Sequence, residues 1–365
     1  MVGDVCDPAA VGRLVAGADC VWHNAAAVGP FHPRDLYFKV NYEGTLVVIR
    51  ACKEAGVKKI VMSSSPSTRF DGSDVDGLSE AQLPPLPQPR YLQTYAETKA
   101  MGEKALTDAC CPELMTCAVA PHQVYGPRDN LFLPNLLEAA GSGRLRVFGK
   151  GLNRICFTYV DNYAHGLIIA ERVSVCRGAM SCPSPCEAPR CRRMPLTNPR
   201  HPCGSQALVP GGKALGQFYI VTDGATHPFA EGYLLFWDIL EEASLHMGFS
   251  SIKNRVSLPM WLLWLLASVC EAITWLLGIT LKLSYFNVKM LTMHRWFTIN
   301  KAEEDLGYKP IVSFADGWGD TLVWFKSNWL PSFDPNAGLT GLAKGTEDKI
   351  ATQVSGMAGG SKKAD

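Results

Sequence analysis

The sequence predicts an α/β fold in which a parallel sheet is covered by helices on both faces. Short apolar runs that end in small or polar residues alternate with longer segments of helical period, which is the pattern of a doubly wound fold. The segments between the runs are long enough for right-handed crossover connections. The chain has 365 residues, of which 47% are hydrophobic and 19% are charged, so it can bury a substantial core.

Four apolar runs are the strand candidates of this sheet. They are C-V-W-H-N-A-A at 20–26, K-I-V-M-S-S-S at 59–65, M-T-C-A-V-A at 115–120 and F-Y-I-V-T at 218–222. The period of the intervening segments predicts helices near 34–56, 91–110, 132–141 and 160–172.

Composition and charge exclude several classes of function. The formal net charge is +1, so the chain lacks the basic field that nucleic-acid binding needs. Thirteen cysteines are an odd number and are mostly scattered singly, which indicates a reducing compartment. The first ten residues have neither a basic nor an apolar region, so they do not form a secretory signal.

Two segments carry no secondary-structure period. Residues 174–214 are rich in Pro, Arg and Cys, which predicts a loop or a disordered insert. Four cysteines and a histidine in this segment could be read as zinc ligands: Cys182, Cys186, Cys191, Cys203 and His201. Their spacing fits no C-x-x-C pair, so no metal is expected. Residues 331–365 are polar and Gly-rich, which predicts a flexible tail.

An apolar segment of twenty-four residues runs from 258 to 281, and Glu271 is its only charge. It is long enough to cross a bilayer of ~30 Å, but a carboxylate near its middle disfavours a plain span. The alternatives are a helix or helical hairpin within one leaflet and a buried pair of core helices. Because the sequence on both sides resembles one soluble domain, the first alternative is favoured. Lys362 and Lys363 resemble a signal that returns proteins to the endoplasmic reticulum.

Tyr95 and Lys99 are four residues apart in a run of helix formers, so they lie on one helix face. A nearby ammonium lowers the pKa of a phenol by favouring the phenolate, which can then act as a general base. The Y-x-x-x-K pair alone is weak evidence, since a solvated helix face also carries it. However, three serines at 63–65 end a predicted strand, where side chains face the ligand crevice of a parallel sheet.

The order of several motifs resembles the extended short-chain dehydrogenases/reductases, and within them the 3β-hydroxysteroid dehydrogenase and sterol-4α-carboxylate 3-dehydrogenase branch. The motifs are G-D-V-C-D at 3–7, V-W-H-N-A-A at 21–26, N-Y-E-G-T at 41–45, M-S-S-S-P-S-T-R-F-D-G at 62–72, Y-A-E-T-K at 95–99, P-H-Q-V-Y-G-P-R-D at 121–129, F-T-Y-V-D-N at 157–162 and L-G-Y-K-P at 306–310. The match covers about residues 3–173 and 215–330.

The resemblance implies catalytic roles for four residues. Tyr95 corresponds to the general acid/base, and Lys99 to the residue that lowers its pKa and holds the nicotinamide ribose. Ser65 corresponds to the serine that binds the reacting oxygen. Asn41 corresponds to an asparagine of a proton relay, although it could equally bond only to backbone.

The resemblance also implies cofactor contacts. Asp4 corresponds to the acidic residue near the adenine, and Pro121 with Val124 to the loop against the nicotinamide amide. Ala25 and Ala26 correspond to the wall beside the cofactor, although they could be packing residues only. Three histidines are expected to be structural: His23, His122 and His165.

One departure from the family pattern is large. The sequence contains no Gly-rich pyrophosphate-binding turn, and it begins at what resembles the end of the family's third strand. We therefore expect an incomplete Rossmann-like sheet that lacks its first strands, so that the strand at 20–26 lies at an unpaired edge. The expected regions are 1–173 for dinucleotide binding, the insert 174–214, 215–257 with the last strand, the membrane-associated helices 258–282, the substrate-region helices 283–330 and the tail 331–365.

The implied activity is oxidation of a sterol 3β-hydroxyl to the ketone, with loss of a 4α-carboxylate where one is present. The implied cofactor is NAD, with NADP left open. The implied partners are the sterol and membrane lipid at the cytosolic face of the endoplasmic reticulum; a homodimer or a complex with other sterol-pathway enzymes is left open. The alternative is a truncated, catalytically inactive, membrane-associated protein that binds sterol or partner proteins.

Overall fold

The computed structural model describes residues 2–29, 32–172, 208, 210–277 and 283–335. The helices are α1 (Pro8–Val15), α2 (Arg34–Tyr37), α3 (Gly44–Ala55), α4 (Thr94–Asp108), α5 (Leu133–Gly141), α6 (Val160–Glu171), α7 (Phe236–His246), α8 (Met260–Leu277), α9 (Tyr285–Thr292), α10 (Asn300–Leu306) and α11 (Phe314–Trp324). The strands are β1 (Cys20–His23), β2 (Lys59–Ser63), β3 (Val75–Leu78), β4 (Met115–Pro121), β5 (Val124–Tyr125), β6 (Arg154–Ile155), β7 (Thr158–Tyr159), β8 (Phe218–Val221), β9 (Leu234–Leu235) and β10 (Arg295–Phe297).

The four predicted strands form one parallel sheet in the order β1-β2-β4-β8. The prediction of an α/β parallel sheet is therefore confirmed, and the four helices predicted between its strands are present. Within the described residues β1 pairs only with β2, so it lies at an edge of this sheet. The six residues Met115–Ala120 of β4 are all buried, as expected for a central strand covered on both faces.

Two hydrophobic clusters cover the two faces of the sheet. Ile60 and Met62 of β2 pack with α1, α3 and α4 on one face. Val61 points the other way and packs with side chains of α6 and α10. This alternation is the period of two that a strand imposes, and it produces the doubly wound arrangement.

The predicted helix at 34–56 contains a π-helical turn, which the sequence did not reveal. Phe38–Glu43 is a π-helix between α2 and α3, and it includes the buried Asn41. Gly102 of α4 packs directly against this turn, since a Cβ on Gly102 would lie 2.5 Å from the Asn41 carbonyl oxygen. Short π-helical insertions are frequent at functional sites. Only glycine at position 102 allows α4 and this turn to approach so closely.

A second sheet of four short strands has the order β3-β10-β6-β9 and lies beside helices from the later part of the chain. Its strands come from both sides of β8 in the sequence, so the two halves of the fold interleave along the chain. Below it, α5, α7 and α11 share a large aromatic core with β6 and β7. Pairing within this sheet places β10, and with it the preceding helix α9, near the carboxyl ends of β2 and β4.

Within the described residues, the apolar segment forms helix α8, which is about 27 Å long and meets the length and composition criteria for a membrane span. Only 11% of its residues are buried. Leu263 and Ala267 pack against Val288 of α9, whereas most other apolar side chains of the helix face outward. Glu271 accepts a hydrogen bond from the backbone N–H of Tyr285 at 2.8 Å, so the one charge of the segment binds the first turn of α9.

Replacing Gly102 by Ala should destabilise the protein. The added methyl group would overlap the Asn41 carbonyl oxygen, so α4 or the π-helical turn must shift. Overpacking of this kind typically costs about 1–3 kcal/mol, which thermal unfolding would show as a lower Tm. Gly12→Ala is the control, because a Cβ at Gly12 meets no atom within 4 Å. An equal Tm for the two variants would contradict the close approach.

Candidate active site

A cleft of about 710 Å³ lies at the carboxyl ends of β2 and β4. Its floor is formed by Ser63–Ser65 and Pro121–Tyr125, and Phe286 and Met290 of α9 line it from above. This volume is within the range of small-molecule sites, roughly 300–1,000 Å³. The position also agrees with the rule that open α/β sheets bind ligands beyond the carboxyl ends of their strands. We refer to it as the cleft.

Tyr95 and Ser65 line the cleft together. Ser65 follows β2 directly, and its hydroxyl caps the 3₁₀ turn Pro66–Arg69 by accepting a hydrogen bond from the Ser67 N–H. Tyr95 lies in the first turn of α4 and points toward the same hydroxyl. Burial raises the pKa of Tyr95 to about 12, and a hydrogen bond with the Ser65 side chain opposes part of this rise. The phenol and the hydroxyl can therefore bind one oxygen atom between them.

Lys99 is one helical turn further along α4 and is 2% exposed. Its ammonium donates a 2.5 Å hydrogen bond to the carbonyl of Ser63, at the end of β2. Burial lowers the pKa of Lys99 to about 8, although the carboxylate of Glu103 favours the charged form. An ammonium has three donors, of which this bond uses one. Lys99 is not among the residues that line the cleft.

The expectation that Lys99 lowers the pKa of Tyr95 stays a prediction. The pKa of Tyr95 lies above its ordinary value of 10, because burial disfavours the phenolate and Tyr37 adds to the rise. The Lys99 ammonium is directed to the Ser63 carbonyl instead. At neutral pH the site therefore holds a neutral phenol, which is ready to donate a proton.

Asn41 is 1% exposed and its side chain serves the backbone. Its Oδ1 accepts from the N–H of Ala27 at 2.7 Å, and its Nδ2 donates to the Ala27 carbonyl and to the Thr98 hydroxyl, each at 3.2 Å. Asn41 thereby ties the segment after β1 to α4. This is the backbone-bonding interpretation that the sequence left open, and the relay role stays a prediction.

The predicted cofactor residues divide into two groups. Pro121 and Val124 line the cleft. Ala25 is exposed and Ala26 is partly exposed beyond β1, and neither residue lines the cleft. Asp4 lies near the start of the chain. Partial burial raises its pKa, but the Cys6 N–H and Lys39 lower it by more, so the pKa of Asp4 is below its ordinary value. The adenine contacts therefore stay predictions.

Backbone strain also marks the cleft. Among the described residues, two non-glycine residues have φ in the left-handed region: Gln123 at 44° and Arg128 at 69°. Both residues line the cleft. Such conformations cost on the order of 1–3 kcal/mol each and cluster at functional sites.

Three residues of this site were missed by sequence reasoning. Tyr163 lines the cleft, and its pKa is raised by burial and also by the neighbouring Tyr95 phenol. Glu103 accepts from the Ser64 hydroxyl at 2.5 Å and pairs with Arg69 at 2.5 Å. Glu103 is four residues after Lys99, a helical spacing that could have indicated it. Arg295 of β10 also lines the cleft, and no local pattern marks it.

The three histidines expected to be structural have partners in the structure. His23 Nε2 lies 2.9 Å from the Thr45 hydroxyl, and burial lowers the pKa of His23 to about 4. His122 Nδ1 lies 2.8 Å from the Cys156 carbonyl, and burial lowers the pKa of His122 to about 3. The rings of His165 and Tyr308 are 6.1 Å apart and tilted by 32°. The possible zinc ligands at 182–203 lie outside the described residues.

Comparisons with known proteins show the family to which this chain belongs. The model of the 3-beta hydroxysteroid dehydrogenase/isomerase family matches residues 1–175. A sterol-4-alpha-carboxylate 3-dehydrogenase, decarboxylating, from Bos taurus is 30% identical over 332 residues, which cover 89% of this chain and 80% of the relative. The chain belongs to the 3-beta hydroxysteroid dehydrogenase/isomerase family.

Other relatives in the family differ in length and in name. Two 3beta-hydroxysteroid-dehydrogenase/decarboxylase isoforms of Arabidopsis thaliana are 30% and 31% identical over 88% and 85% of this chain, which spans 51% and 62% of their lengths. A 2-alkyl-3-oxoalkanoate reductase of Stenotrophomonas maltophilia is 29% identical over 86% of this chain and 83% of its own. The crystal structure of gox2253 has a TM-score of 0.59 at 21% identity, with 89% of this chain and 84% of that chain covered, and confirms the fold.

Replacing Glu103 by Gln should lower the pKa of Lys99 below its value of about 8. The Glu103 carboxylate favours the ammonium, so its neutralisation removes that support while burial still acts. The ¹³Cε chemical shift of Lys99, assigned with a Lys99→Arg variant, would be followed as a function of pH. Glu97→Gln is the control, since Glu97 is on the same helix but pairs with Arg34. A midpoint equal to that of the wild type would contradict the coupling.

Proposed function

We propose that this protein is an NAD-dependent sterol dehydrogenase that oxidises a 3β-hydroxyl and releases a neighbouring 4α-carboxylate as carbon dioxide. The observation that carries the proposal is the phenol of Tyr95 beside the hydroxyl of Ser65, in a cleft of about 710 Å³ in a chain of this family. The Bos taurus and Arabidopsis relatives are named for this chemistry.

The residues present fit the nicotinamide end of the cofactor. The buried Lys99 ammonium uses one N–H for the Ser63 carbonyl, and its other donors would hold the ribose hydroxyls. Pro121 and Val124 supply backbone and apolar surface on the same side of the cleft. When bound, NAD accepts the hydride that leaves the sterol C3. Because the sequence has no Gly-rich turn, no residue of this chain is assigned to the pyrophosphate.

The chain's own contribution is the handling of one proton. The sterol hydroxyl would form hydrogen bonds with Ser65 Oγ and Tyr95 Oη. These two bonds would hold the hydroxyl at the end of β2. In the oxidative direction Tyr95 Oη takes the hydroxyl proton, so Tyr95 must first ionise. With a pKa of about 12, this requires extra positive charge near the phenol. Lys99, held one turn away, is the nearest cation on α4.

The decarboxylation follows from the product of this oxidation. A ketone at C3 with a carboxylate on C4 is a β-keto acid. Its C4–carboxyl bond breaks to release carbon dioxide, and the electron pair enters the ketone as an enolate. The enolate oxygen then takes a proton, for which the neutral phenol of Tyr95 is a suitable donor.

We also propose that α8 lies in one leaflet of the endoplasmic reticulum membrane, at its cytosolic face. Its outward side chains are large and apolar, with Trp261 69% exposed, Leu265 54% and Trp275 83%. The opposite side packs on α9, and both neighbouring segments return to the same domain. A flat helix with one apolar face outward suits the interface better than a crossing. Because α9 also lines the cleft, a membrane-dissolved sterol would be delivered beside it.

Replacing Tyr95 by Phe should reduce sterol oxidation by roughly 10²- to 10⁴-fold, because the general acid/base is lost. NADH formation with a 4α-carboxy-3β-hydroxysterol measures it. Tyr91→Phe is the matched control, since its hydroxyl bonds the Gln88 backbone outside the cleft. Turnover of the Tyr95 variant within tenfold of wild type would refute the proposed role.

Titration of wild-type protein with NAD tests whether this chain binds the cofactor. Micromolar binding is expected, and no binding would favour the inactive sterol-binding alternative.

Replacing Leu265 by Glu should weaken sedimentation with phosphatidylcholine vesicles by roughly tenfold or more, because a charge would enter the apolar interface. Val323→Glu is the control, since Val323 is 59% exposed on a different helix, α11. Equal vesicle binding by the two variants would show that the outward face of α8 does not contact lipid.

A further inference from the structure

We propose that a second pocket, next to the cleft, holds the hydrocarbon side chain of the sterol while the 3β-hydroxyl lies between Tyr95 and Ser65. The inference rests on the proposed function, because it places the far end of that substrate. The second pocket has a volume of about 740 Å³ and lies between residues 84–92 and the helices α8 and α9. We refer to it as the outer pocket.

Helix α9 contributes to the walls of both pockets. Tyr285 and Lys289, one helical turn apart, line the outer pocket, and Phe286 lines the outer pocket and the cleft. In the segment before α4, Leu92 lines the outer pocket, and the next residue, Gln93, lines the cleft. The two pockets are therefore contiguous at Phe286 and at the approach to the first turn of α4, which carries the catalytic tyrosine.

The shape of the substrate requires space beyond the cleft. A sterol is a rigid, elongated ring system that has the 3-hydroxyl at one end and the side chain at the other. The cleft of about 710 Å³ has to hold the reacting end of the sterol together with the nicotinamide end of the cofactor. Because binding sites bury roughly 70–90% of a small ligand's surface, the far end of the sterol needs an apolar pocket of its own.

The lining of the outer pocket suits a hydrocarbon. Arg90 is exposed, so its charge stays in water. Four other polar side chains of the lining are already bonded to the backbone: Gln88 to the Thr68 carbonyl at 2.6 Å, Lys289 to the Gly72 carbonyl at 2.7 Å, Glu271 to the Tyr285 N–H at 2.8 Å and Asp71 to the Ser73 N–H at 2.8 Å. Since these groups have partners, an apolar ligand does not deprive them of hydrogen bonds.

The outer pocket is stiff on one side and contacts the apolar helix on the other. Four prolines line it: Pro84, Pro85, Pro87 and Pro89. Proline fixes φ, so this wall loses little conformational entropy when a ligand binds. Glu271 of α8 lines the outer pocket, whereas no described residue of α8 lines the cleft. The apolar end of the sterol therefore lies on the side of the helix that we place in the membrane.

The first test uses wild-type protein without NAD and a 4α-carboxy-3β-hydroxysterol that carries a photoreactive diazirine at the end of its side chain. Labelled residues are mapped by mass spectrometry, with and without an excess of unlabelled sterol. We expect labelling that the unlabelled sterol suppresses, within residues 84–92 and 285–289. A matched probe with the diazirine next to the 3-hydroxyl should label the cleft instead, within residues 121–131.

The second test fills the outer pocket. Leu92→Trp adds the bulk of an indole there, so the dissociation constant of the sterol with its full side chain should rise by roughly tenfold or more. The dissociation constant of an analogue that lacks the side chain should change by less than about twofold, because that analogue does not reach the outer pocket. Leu152→Trp is the control, since Leu152 is 60% exposed and lines neither pocket.

Two results would overturn the inference. One is suppressible labelling by the side-chain probe that lies only in the cleft or only on the outward face of α8, a result that does not depend on whether any variant folds. The other is a Leu92→Trp protein, folded by its Tm, that binds both sterols as the wild type does. If neither probe gives suppressible labelling, the sterol function itself is refuted, and the role of the outer pocket with it.

Discussion

The hydrogen bond from the Lys99 ammonium to the Ser63 carbonyl is the contact on which the site depends. It joins the middle of α4 to the carboxyl end of β2, where the chain turns into Ser65. A second contact, from Ser64 to Glu103, joins the same two elements one helical turn further on. The first contact is partly buried and the second is buried, so water weakens them little. The phenol in the first turn of α4 is thereby held beside the serine at the end of the sheet.

This arrangement places opposing demands on Lys99. The residue must be buried to hold the strand end, yet burial lowers its pKa to about 8 and weakens its charge near neutral pH. The Glu103 carboxylate restores part of that charge and is itself neutralised by Arg69. Lys99, Glu103 and Arg69 therefore form a chain of alternating charges next to the end of β2. The pKa of Tyr95 stays above its ordinary value because burial disfavours its phenolate.

The sequence predicted those parts of the site that depend on local geometry. The i,i+4 spacing of Tyr95 and Lys99 and the strand-end position of Ser65 required only the periods of a helix and a parallel sheet. The high pKa of Tyr95 was not predictable, because it depends on burial, which no spacing reveals. Arg295 was not predictable either, since β10 reaches the cleft through a sheet whose strands interleave along the chain. The π-helical turn around Asn41 left no pattern in the run of helical residues.

The position of Glu271 links the apolar helix to the cleft. No pattern in the sequence explained a charge in the middle of this apolar segment. In the structure the Glu271 carboxylate accepts a hydrogen bond from the Tyr285 N–H and so contacts the start of α9. The next residue, Phe286, lines the cleft, as do Met290 and Leu291 further along α9. The proposed interfacial position of α8 would therefore place lipid on the outward side of a helix whose other side contacts α9. In that arrangement the Glu271 carboxylate, which disfavours a transmembrane helix, would connect α8 to the helix that lines the cleft.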